Sequence, residues 1–513
     1  MNPFFRNFFA SLLALVVFNL LGFFILFAVI GALASSEKPS VPQKSVLVLD
    51  LSQHFNERIQ ENLLRIISGE EAEVPGLYDV LRLIRYARDD KNIAGIYILA
   101  NGNNNGFAAS EELQRALLQF KTSKKFVLAY GEMMTQKAYY VAQVADRIYA
   151  NPTGVVEWNG FSANLLFLKG TLERLKIQPQ IFYAGKFKSA TEPLRTDKMT
   201  PENKLQTMEW IGDLYHHFLA NTAAVRKKDT ATLHQLANTG AIQTTQDAVQ
   251  AGLIDAAKYD DEVRDEIKRK LGKGKYDKYS LVSINRYAES ADFKQSGSGR
   301  IALIYAEGDI VDGEGSRDNI GGERFRKIIR RARLDKGIKA MVVRINSGGG
   351  SAMASDVMWR ELAEAKRDKP VVVSFGDVAA SGGYYMGCGA DSIFALPNTI
   401  TGSIGVFGII PNMQGFFNDK LGVTFDGVKT APYADAGAIY RPMNEQEKKF
   451  AQQSVDRIYL QFKQRVAQGR KKDINYIDSI AQGRVWSGED AVALGLVDKL
   501  GGLQDAIDCA ARL

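Results

Sequence analysis

The sequence predicts an α/β protein made of two tandem copies of one arrangement of βα units, preceded by one N-terminal transmembrane helix. Three observations lead to this fold class: an apolar run near the N-terminus, short β-branched runs that alternate with helical patterns, and an internal repeat. A length of 513 residues is too great for one ordinary domain. With 46% hydrophobic and 24% charged residues, the composition argues against a disordered chain, collagen or a polytopic membrane protein.

The N-terminal segment Phe8–Leu33 is almost unbroken apolar sequence. A bilayer core of about 30 Å needs about 20 helical residues, so this segment is long enough to span it. Arg6 precedes the segment, which favours an N-inside orientation with the rest of the chain translocated. The alternative is a cleaved signal peptide, because Ala32-Leu33-Ala34 resembles a cleavage site, but such peptides have apolar cores of about 7–15 residues. We expect residues 1–34 to be an uncleaved anchor, followed by a Pro/Ser-rich spacer, Ser35–Gln43.

The rest of the chain shows strand and helix patterns in alternation. Val46–Leu51 and Ile301–Tyr305 are short β-rich runs that open the two copies. Ile338–Ile345 and Val371–Phe375 are β-branched runs that predict buried parallel strands. Between them, Ser355–Arg367 has a helical pattern with Ser355 as its predicted N-cap. Strands that alternate with helices at this spacing predict parallel βα units.

An internal repeat relates the two halves of the chain. Asp90 aligns with Asp335, an offset of 335 − 90 = 245 positions, and the alignment continues without a gap to Pro152 and Pro397. A later block repeats as well, with GAIQTTQDAVQAGLID facing GRVWSGEDAVALGLVD. An ungapped match of this length indicates two copies of one fold.

The polar stretch Gly272–Arg300, with GKGK and QSGSGR at its ends, separates the copies. We therefore predict a first repeat at residues 45–272, a linker at 273–299 and a second repeat at 300–513.

The formal net charge of +7 is mild for this length and suits an anionic lipid surface as well as nucleic acid. The basic run Arg324–Arg333 resembles a nucleic-acid-binding segment at first sight. On a helix, however, its apolar residues form one stripe: Phe325, Ile328, Ile329 and Ala332. We interpret the run as a solvated helix face and expect no nucleic-acid partner.

The two copies differ at a glycine-rich turn that follows a predicted strand. The second copy has Asn346-Ser347-Gly348-Gly349-Gly350-Ser351, where the first has NGNNNG. Glycine allows positive φ and close approach to the backbone, so the second copy offers bare N–H groups where the first places side chains. The alternative is an ordinary tight turn. A phosphate-binding loop is disfavoured because no Gly-Lys-Ser/Thr ending is present.

The second difference is AASGGYY, residues 379–385, which faces MTQKAYY. Both copies keep the two tyrosines, which indicates that these side chains pack in the core. In the first copy, however, Gln136 replaces Ser381, and the two glycines after Ser381 are absent. A serine at a helix start is most often an N-cap. Here it follows a buried strand, its successors offer unobstructed N–H groups, and a helix N-terminus favours developing negative charge. These features suit a nucleophile beside an oxyanion hole.

A serine hydroxyl needs a base to become a good nucleophile. The four histidines all lie in the first half, so a Ser-His-Asp triad within the second copy is impossible. The base must come from the first copy, from a neighbouring subunit, or be a lysine. Moving a lysine pKa from about 10.4 to about 7 costs roughly 4–5 kcal/mol, which burial can supply. We therefore expect a desolvated lysine without a carboxylate partner.

These motifs resemble peptidase family S49, the signal peptide peptidase A (protease IV) family of the Clp-protease/crotonase superfamily, in its long duplicated form. The specific elements are NSGGGS, AASGGYY, TGSIGV at 401–406 and GKFKSATEP at 185–193. The resemblance implies Ser381 as nucleophile and Lys188 as general base. It further implies that Ser403 hydrogen-bonds the lysine, and that Gly350 and Gly382 supply oxyanion-hole N–H groups.

The local sequence fits this role for Lys188. Ile181–Phe187 has the pattern of a strand, and we expect Lys186 and Lys188 on one face of it, where like charge would lower a lysine pKa. The alternative, which the residues favour without the resemblance, is two solvent-facing lysines at a strand edge. Glu192 is close enough in sequence to form an ion pair, unless Pro193 turns it away.

The resemblance implies a membrane-anchored serine endopeptidase that degrades remnant signal peptides and other hydrophobic segments. It also implies a homotetramer in contact with membrane lipid, in the bacterial inner membrane, with its catalytic repeats on the extracytoplasmic side. We expect no cofactor and no metal, because no metal-ligand spacing is visible and only two cysteines occur. Two alternatives stay open: a crotonase-like enzyme that acts on an acyl-thioester, and a non-catalytic membrane scaffold.

Overall fold

The computed structural model describes residues 3–34, 40–61, 73–294, 297 and 299–513. Each half of the chain contains one parallel β-sheet with helices packed on it, so the predicted α/β class with two repeats is confirmed. The N-terminal apolar segment is one helix, α1 (Pro3–Ala34), and its part Pro3–Phe24 is long and apolar enough to cross a membrane. Of the predicted spacer, residues 35–39 lie outside the described residues.

The strands of the first half are β1 (Ser45–Asp50), β2 (Gln60–Glu61), β3 (Glu73–Val74), β4 (Ile93–Leu99), β5 (Phe126–Met134), β6 (Arg147–Val156), β7 (Gln178–Ala184), β8 (Ala256–Ala257) and β9 (Leu281–Ser283). Its helices are α2 (Leu77–Asp89), α3 (Phe107–Lys121), α4 (Gln136–Ala142), α5 (Lys169–Arg174), α6 (Glu192–Arg195), α7 (Pro201–Arg226), α8 (Thr230–Asn238), α9 (Thr245–Gln250), α10 (Asp260–Lys270) and α11 (Ile284–Ser290). A 3₁₀ turn covers Ser189–Thr191.

The strands of the second half are β10 (Arg300–Glu307), β11 (Ile310–Val311), β12 (Ile320–Gly321), β13 (Ile338–Ser347), β14 (Val371–Ala380), β15 (Ser392–Ala395), β16 (Ile400–Gly402), β17 (Val406–Asn412), β18 (Val485–Ser487) and β19 (Lys499–Leu500). Its helices are α12 (Gly322–Leu334), α13 (Ala352–Asp368), α14 (Gly382–Gly387), α15 (Glu445–Arg470), α16 (Ile474–Ile480), α17 (Gly488–Ala493) and α18 (Leu503–Arg512). A π-helical turn covers Phe416–Leu421.

The first sheet has the order β8-β6-β5-β4-β1-β9, and all of its strands are parallel. The main strands of the second sheet have the parallel order β10-β13-β14-β15-β19. Beyond this path, β16 pairs with β14 in parallel and β18 pairs with β16 in antiparallel orientation. The β-branched runs that form these strands are buried on both faces, as parallel sheets covered by helices require.

The structure preserves the register of the repeat. Helix α12 begins 245 positions after α2, and the same offset separates the starts of β13 and β4, α13 and α3, β14 and β5, and β15 and β6. Tyr139 and Tyr384 are fully buried at equivalent positions. The Tyr139 hydroxyl donates to the carbonyl oxygen of Leu253, and the Tyr384 hydroxyl to that of Leu496. The tyrosines kept in both copies therefore pack, as predicted.

The N-cap of α13 differs from the sequence expectation. Helix α13 begins at Ala352, with Ser351 as its N-cap, so the prediction that Ser355 caps it is wrong; the Ser355 hydroxyl instead donates to the Ser351 carbonyl oxygen. The segment predicted as a linker, 273–299, contains β9 and α11. Strand β9 pairs with β1 at the edge of the first sheet, and its Val282 is buried there.

The basic run of the second half lies in α12. Phe325, Ile329 and Ala332 are buried, whereas Ile328 is 41% exposed, so the buried apolar stripe is narrower than predicted. Of its arginines, Arg330 and Arg333 pair with the buried carboxylate of Glu361.

The two halves are joined through a buried ion cluster. The guanidinium of Arg344, on β13, donates to Glu57 Oε1 at 2.8 Å and to Glu112 Oε2 at 2.5 Å, both from the first half. All three side chains are buried. Burial raises the pKa of the Glu57 carboxyl group from 4.5 to about 7, although Arg344 opposes this shift; Glu112 and Glu307 reinforce it. One buried cation thus faces more than one carboxylate.

A second contact between the halves is an antiparallel ribbon, in which β7 of the first half pairs with β17 of the second half. Because β7 pairs with a strand of the second half, the residues that follow β7, 185–188, lie against the second half.

The shifted Glu57 carboxyl group predicts how stability depends on pH. Because its pKa is higher in the folded chain, its contribution to stability is fully present below about pH 4.5 and is lost as the pH rises through about 7. We expect the melting temperature of the full chain in detergent to fall between about pH 4.5 and about pH 7 more steeply in the parent than in Glu57→Gln.

The matched control is Glu361→Gln, which removes another buried carboxylate that two arginines pair. This variant should keep the pH dependence of the parent. Identical pH dependence in the parent and in Glu57→Gln would contradict the account of the cluster.

Candidate active site

Ser381 lies between the end of β14 and the start of α14, at the N-cap position of that helix. Its φ of 53° and ψ of −119° are unusual for a residue with a side chain, and its backbone N–H donates to the Gly402 carbonyl oxygen at 2.9 Å. Its side chain makes no capping hydrogen bond. Ser381 therefore occupies the N-cap position, but its hydroxyl group does not cap the helix and is available for another role.

The hydroxyl group of Ser381 faces the amine of Lys188. Lys188 Nζ lies 3.2 Å from Ser381 Oγ, 2.8 Å from Ser403 Oγ and 3.2 Å from the Ser403 carbonyl oxygen. The structure thus brings together Ser381 with the two residues that the family resemblance pointed to, Lys188 and Ser403, within one chain and across the two halves.

The Lys188 side chain is only 4% exposed. Burial lowers the pKa of its amine from 10.5 to about 8. In the part of the chain that the structure describes, no carboxylate forms an ion pair with this amine. Glu192 is directed elsewhere, because its carboxylate accepts hydrogen bonds from the Thr200 hydroxyl and from Asn203 Nδ2. The amine has hydrogen-bonding partners but no counter-ion, the environment that favours its neutral form.

The position of Lys188 differs from the sequence expectation. The strand predicted at Ile181–Phe187 is present as β7, but it ends at Ala184, so the expectation that Lys186 and Lys188 share a strand face is wrong. Gly185 has a φ of 102° and turns the chain out of the strand. Lys186 is exposed beside the ring of Phe187, and burial is the cause of the lowered pKa of Lys188.

Glycines of the second half make room for the lysine. A Cβ atom at Gly405 would lie 3.1 Å from Lys188 Cδ, and one at Gly483 would lie 2.7 Å from Lys188 Cβ. The Phe187 N–H donates to the Gln482 carbonyl oxygen at 2.8 Å, directly before Gly483. The lysine is therefore seated in a backbone groove that tolerates no side chains.

Gly350 and Gly382 border the space in front of Ser381. A Cβ atom at Gly382 would lie 3.3 Å from the Gly350 amide nitrogen, which shows how close the two residues are. Within the described residues, neither of their N–H groups donates a hydrogen bond. Gly350 has a φ of 148°, and a Cβ there would lie 2.1 Å from the Ile310 carbonyl oxygen, so this conformation requires glycine.

The first copy has filled the equivalent space with side chains. Gln136, the counterpart of Ser381, accepts hydrogen bonds from the backbone N–H groups of Asn159 and Gly160. The N–H of Asn105, the counterpart of Gly350, donates to Asn103 Oδ1 at 2.9 Å. The donor equivalent to Gly350 is thus occupied in the first copy, and a buried glutamine stands where the second copy has a serine, so the second copy is the one suited to chemistry.

A cavity of about 730 Å³ opens in front of Ser381. Its polar end is formed by the groups described above. Its remaining wall is mostly apolar: Phe182, Val406, Phe407, Ile410, Val455, Ile458 and Phe462. No histidine is among the described residues that line it. Among the described residues, no group of three or more His, Cys, Asp or Glu side chains is placed to hold a metal ion.

The sequence missed residues that hold Lys188 in place. Gly483 faces Gly240 in the repeat, so a comparison of the two copies does not single it out. Gln206, whose amide contacts the residues on either side of Lys188, carries no motif at all. Its role depends on contacts between segments far apart in sequence.

Comparison with known proteins matches both halves of the chain to one family. The family described as Peptidase family S49 matches residues 119–273 and 363–513. "Protease 4" of Salmonella typhi is 38% identical over 87% of this chain and 73% of its own length. "Protease 4" of Haemophilus influenzae is 33% identical over 96% of this chain and 83% of its own length. The chloroplastic "Serine protease SPPA" of Arabidopsis thaliana is 33% identical over 82% of this chain and 63% of its own length.

The glycine groove around Lys188 gives a testable prediction. Gly483→Ala would force a methyl group against Lys188 Cβ and displace the amine from Ser381. Because misplacement by about 1 Å can cost about 100-fold in rate, we expect the Ser381 hydroxyl to react with a serine-directed covalent probe at least about 10-fold more slowly.

Gly272→Ala is the matched control. Gly272 has a φ of 70°, close to the 77° of Gly483, but a Cβ there would meet nothing within 4 Å. It carries the same backbone strain without the contact, so its labelling rate should equal that of the parent. Equal rates for Gly483→Ala and Gly272→Ala would show that the groove does not position Lys188.

Proposed function

From the premise that this chain belongs to peptidase family S49 and is a serine peptidase, we propose that it hydrolyses peptide bonds with a dyad of Ser381 and Lys188. The observation that carries the proposal is a buried amine, without a carboxylate partner in the described chain, 3.2 Å from a serine hydroxyl. The filled counterpart of this site in the first copy supports the same conclusion.

The first half of the reaction acylates Ser381. Neutral Lys188 takes the proton of the hydroxyl group as Oγ attacks the carbonyl carbon of the scissile peptide bond. The oxygen of that carbonyl group becomes negatively charged, and the N–H groups of Gly350 and Gly382 stabilise it. Protonated Lys188 then gives its proton to the leaving nitrogen, the C–N bond breaks, and an ester with Ser381 remains.

The second half of the reaction releases the product. Lys188, neutral again, takes a proton from water, and the resulting hydroxide attacks the ester carbonyl carbon. The same two N–H groups stabilise the second tetrahedral intermediate. The bond between its carbon and Ser381 Oγ then breaks, the new carboxyl terminus of the product leaves, and protonated Lys188 returns its proton to Oγ. Ser403 orients the amine throughout, since its hydroxyl and carbonyl oxygens both accept from Lys188 Nζ.

The shifted pKa decides how much of the base is active. With a pKa of about 8, roughly a tenth of Lys188 is neutral at about pH 7, compared with about one part in three thousand at a pKa of 10.5. Burial therefore supplies a gain of more than about 100-fold in the active form near neutral pH.

The apolar wall of the cavity supports a hydrophobic peptide as substrate. Phe407, Val455 and Phe462 offer no charged group that would pair with a charged side chain. Together with the resemblance to signal peptide peptidases, this leads us to propose that the substrates are remnant signal peptides and other hydrophobic segments.

The dyad predicts both a pH profile and two inactive variants. Against a fluorogenic peptide with apolar residues around the cleavage site, kcat/KM should rise with pH to a plateau, with a midpoint near pH 8, because the deprotonated amine is the active form. Ser381→Ala and Lys188→Ala should each lower the rate by about 1,000-fold or more.

Lys186→Ala is the matched control, because it removes an exposed lysine two positions away. It should leave rate and profile unchanged. Parent-like cleavage by Lys188→Ala would exclude Lys188 from the dyad. If the parent hydrolyses an acyl-thioester but cleaves no peptide, a crotonase-like enzyme is favoured. If the parent has neither activity, a non-catalytic scaffold is favoured.

We also propose that α1 anchors the chain in a bacterial inner membrane with both repeats on the extracytoplasmic side. The support is a helix whose part Pro3–Phe24 can span a bilayer, with Arg6 near its start. After alkaline carbonate extraction of bacterial membranes, the chain should stay in the pellet and keep its N-terminal peptides in mass spectrometry. A soluble chain that begins just after Ala34 would show that the segment is a cleaved signal peptide instead.

A further inference from the structure

We propose that Gln206 is a positioning residue that fixes the Lys188 loop of the first half against the Ser403 turn of the second half; this inference rests on the proposed role of Lys188. Gln206 lies in the second turn of α7 and is buried. It belongs to no motif of the sequence and touches no group that reacts.

The amide nitrogen of Gln206 holds the loop on both sides of Lys188. Gln206 Nε2 lies 3.1 Å from the Phe187 carbonyl oxygen and 2.8 Å from Ser189 Oγ. These two acceptors belong to the residues directly before and after the lysine. A single side chain thus restrains the backbone from which the general base projects.

The amide oxygen of Gln206 reaches the other half of the chain. Gln206 Oε1 accepts from the Val485 N–H at 3.3 Å. Val485 pairs with Gly402 in the ladder between β18 and β16, and the Ser403 N–H donates to the Arg484 carbonyl oxygen at 2.7 Å. The oxygen therefore contacts the strand that positions Ser403, the residue to which Lys188 donates its shortest hydrogen bond.

This arrangement requires a neutral amide. The loop offers acceptors and the strand offers a donor, so the side chain must both donate and accept. A lysine has no acceptor and an ionised glutamate has no donor. A glutamate would also place negative charge beside the Lys188 loop, which favours the protonated amine and removes the base.

The network behind Gln206 keeps its amide oriented. Gln206 Nε2 also lies 3.2 Å from Asn203 Oδ1, and Asn203 Nδ2 donates to Glu192 Oε2 at 2.9 Å. The carboxylate of Glu192 is buried, and the hydroxyl group of the α7 N-cap, Thr200, donates to it. Glu192 is the acidic residue nearest to Lys188 in sequence. Its carboxylate holds Asn203, which in turn contacts Gln206, and it forms no ion pair with the Lys188 amine.

The test replaces Gln206 with methionine in the full chain in detergent. Gln206→Met keeps the length of the side chain and removes both hydrogen-bonding groups. We expect kcat to fall by about 10- to 100-fold with KM changed less than about 3-fold, because the base is displaced while the cavity is intact. We also expect the midpoint of the pH–rate profile to rise by about one unit, because a looser loop admits water to the amine.

The matched control is Gln143→Met. Gln143 is a buried glutamine of the first half whose amide bonds to the Tyr140 carbonyl oxygen and the Thr222 hydroxyl, away from the Lys188 loop. Both variants should lower the melting temperature, but Gln143→Met should keep the parent midpoint and kcat per site labelled by a serine-directed probe. The inference is overturned if Gln206→Met has the parent midpoint and kcat, or if Gln143→Met shifts the midpoint equally.

If Gln206→Met does not fold, Gln206→Glu replaces it as the test variant. The glutamate keeps an oxygen that accepts from the Val485 N–H and changes only the amide NH₂ group to a carboxylate oxygen. Its midpoint should rise by about one unit, since the added carboxylate favours protonated Lys188. A parent midpoint in this variant would also overturn the inference. Lys188→Ala separates this outcome from a failure of the proposed function: if Lys188→Ala cleaves the peptide like the parent, the dyad itself is wrong.

Discussion

The hydrogen bond between a buried amine of one half and a serine hydroxyl of the other is the interaction on which the site depends. For this amine to act as a base, Lys188 must be buried away from water and no carboxylate can pair with it. The two halves of the chain must also hold a fixed relative position, because the hydrogen bond joins them. Each of these requirements is met by a separate part of the chain: the glycine groove at Gly405 and Gly483, the diversion of Glu192, and the contacts between the sheets.

The duplication explains how such a site can arise. Two copies of one fold have equivalent turns, and within the described residues the second copy places the unbonded N–H groups of Gly350 and Gly382 beside Ser381. The first copy has Gln136 in place of the serine and a hydrogen-bonded Asn105 N–H in place of that of Gly350, and it contributes the lysine instead. Because the site is divided, the interface between the copies becomes part of it, and the buried cluster of Arg344, Glu57 and Glu112 belongs to the same architecture.

The repeat pattern was sufficient to predict the two sheets, the register between the copies and the packed tyrosines, because these features depend on local periodicity. It also drew attention to Ser381, since a serine with glycines stands where the other copy has Gln136. Lys188 needed the family resemblance, and its roles and those of Ser403, Gly350 and Gly382 stay predictions. The roles of Gln206 and Gly483 could not be predicted from the sequence, because they depend on contacts between the two halves that no local pattern encodes.

The protonation state of Lys188 is the quantity to measure. In the full chain in detergent, the rate at which Lys188 reacts with a small acylating reagent can be followed across pH by quantitative mass spectrometry of its peptide. The account predicts that this rate titrates with a pKa of about 8. Titration near the ordinary lysine value of about 10.4 would contradict it, because Lys188 would then be a cation at neutral pH and could not accept the Ser381 proton.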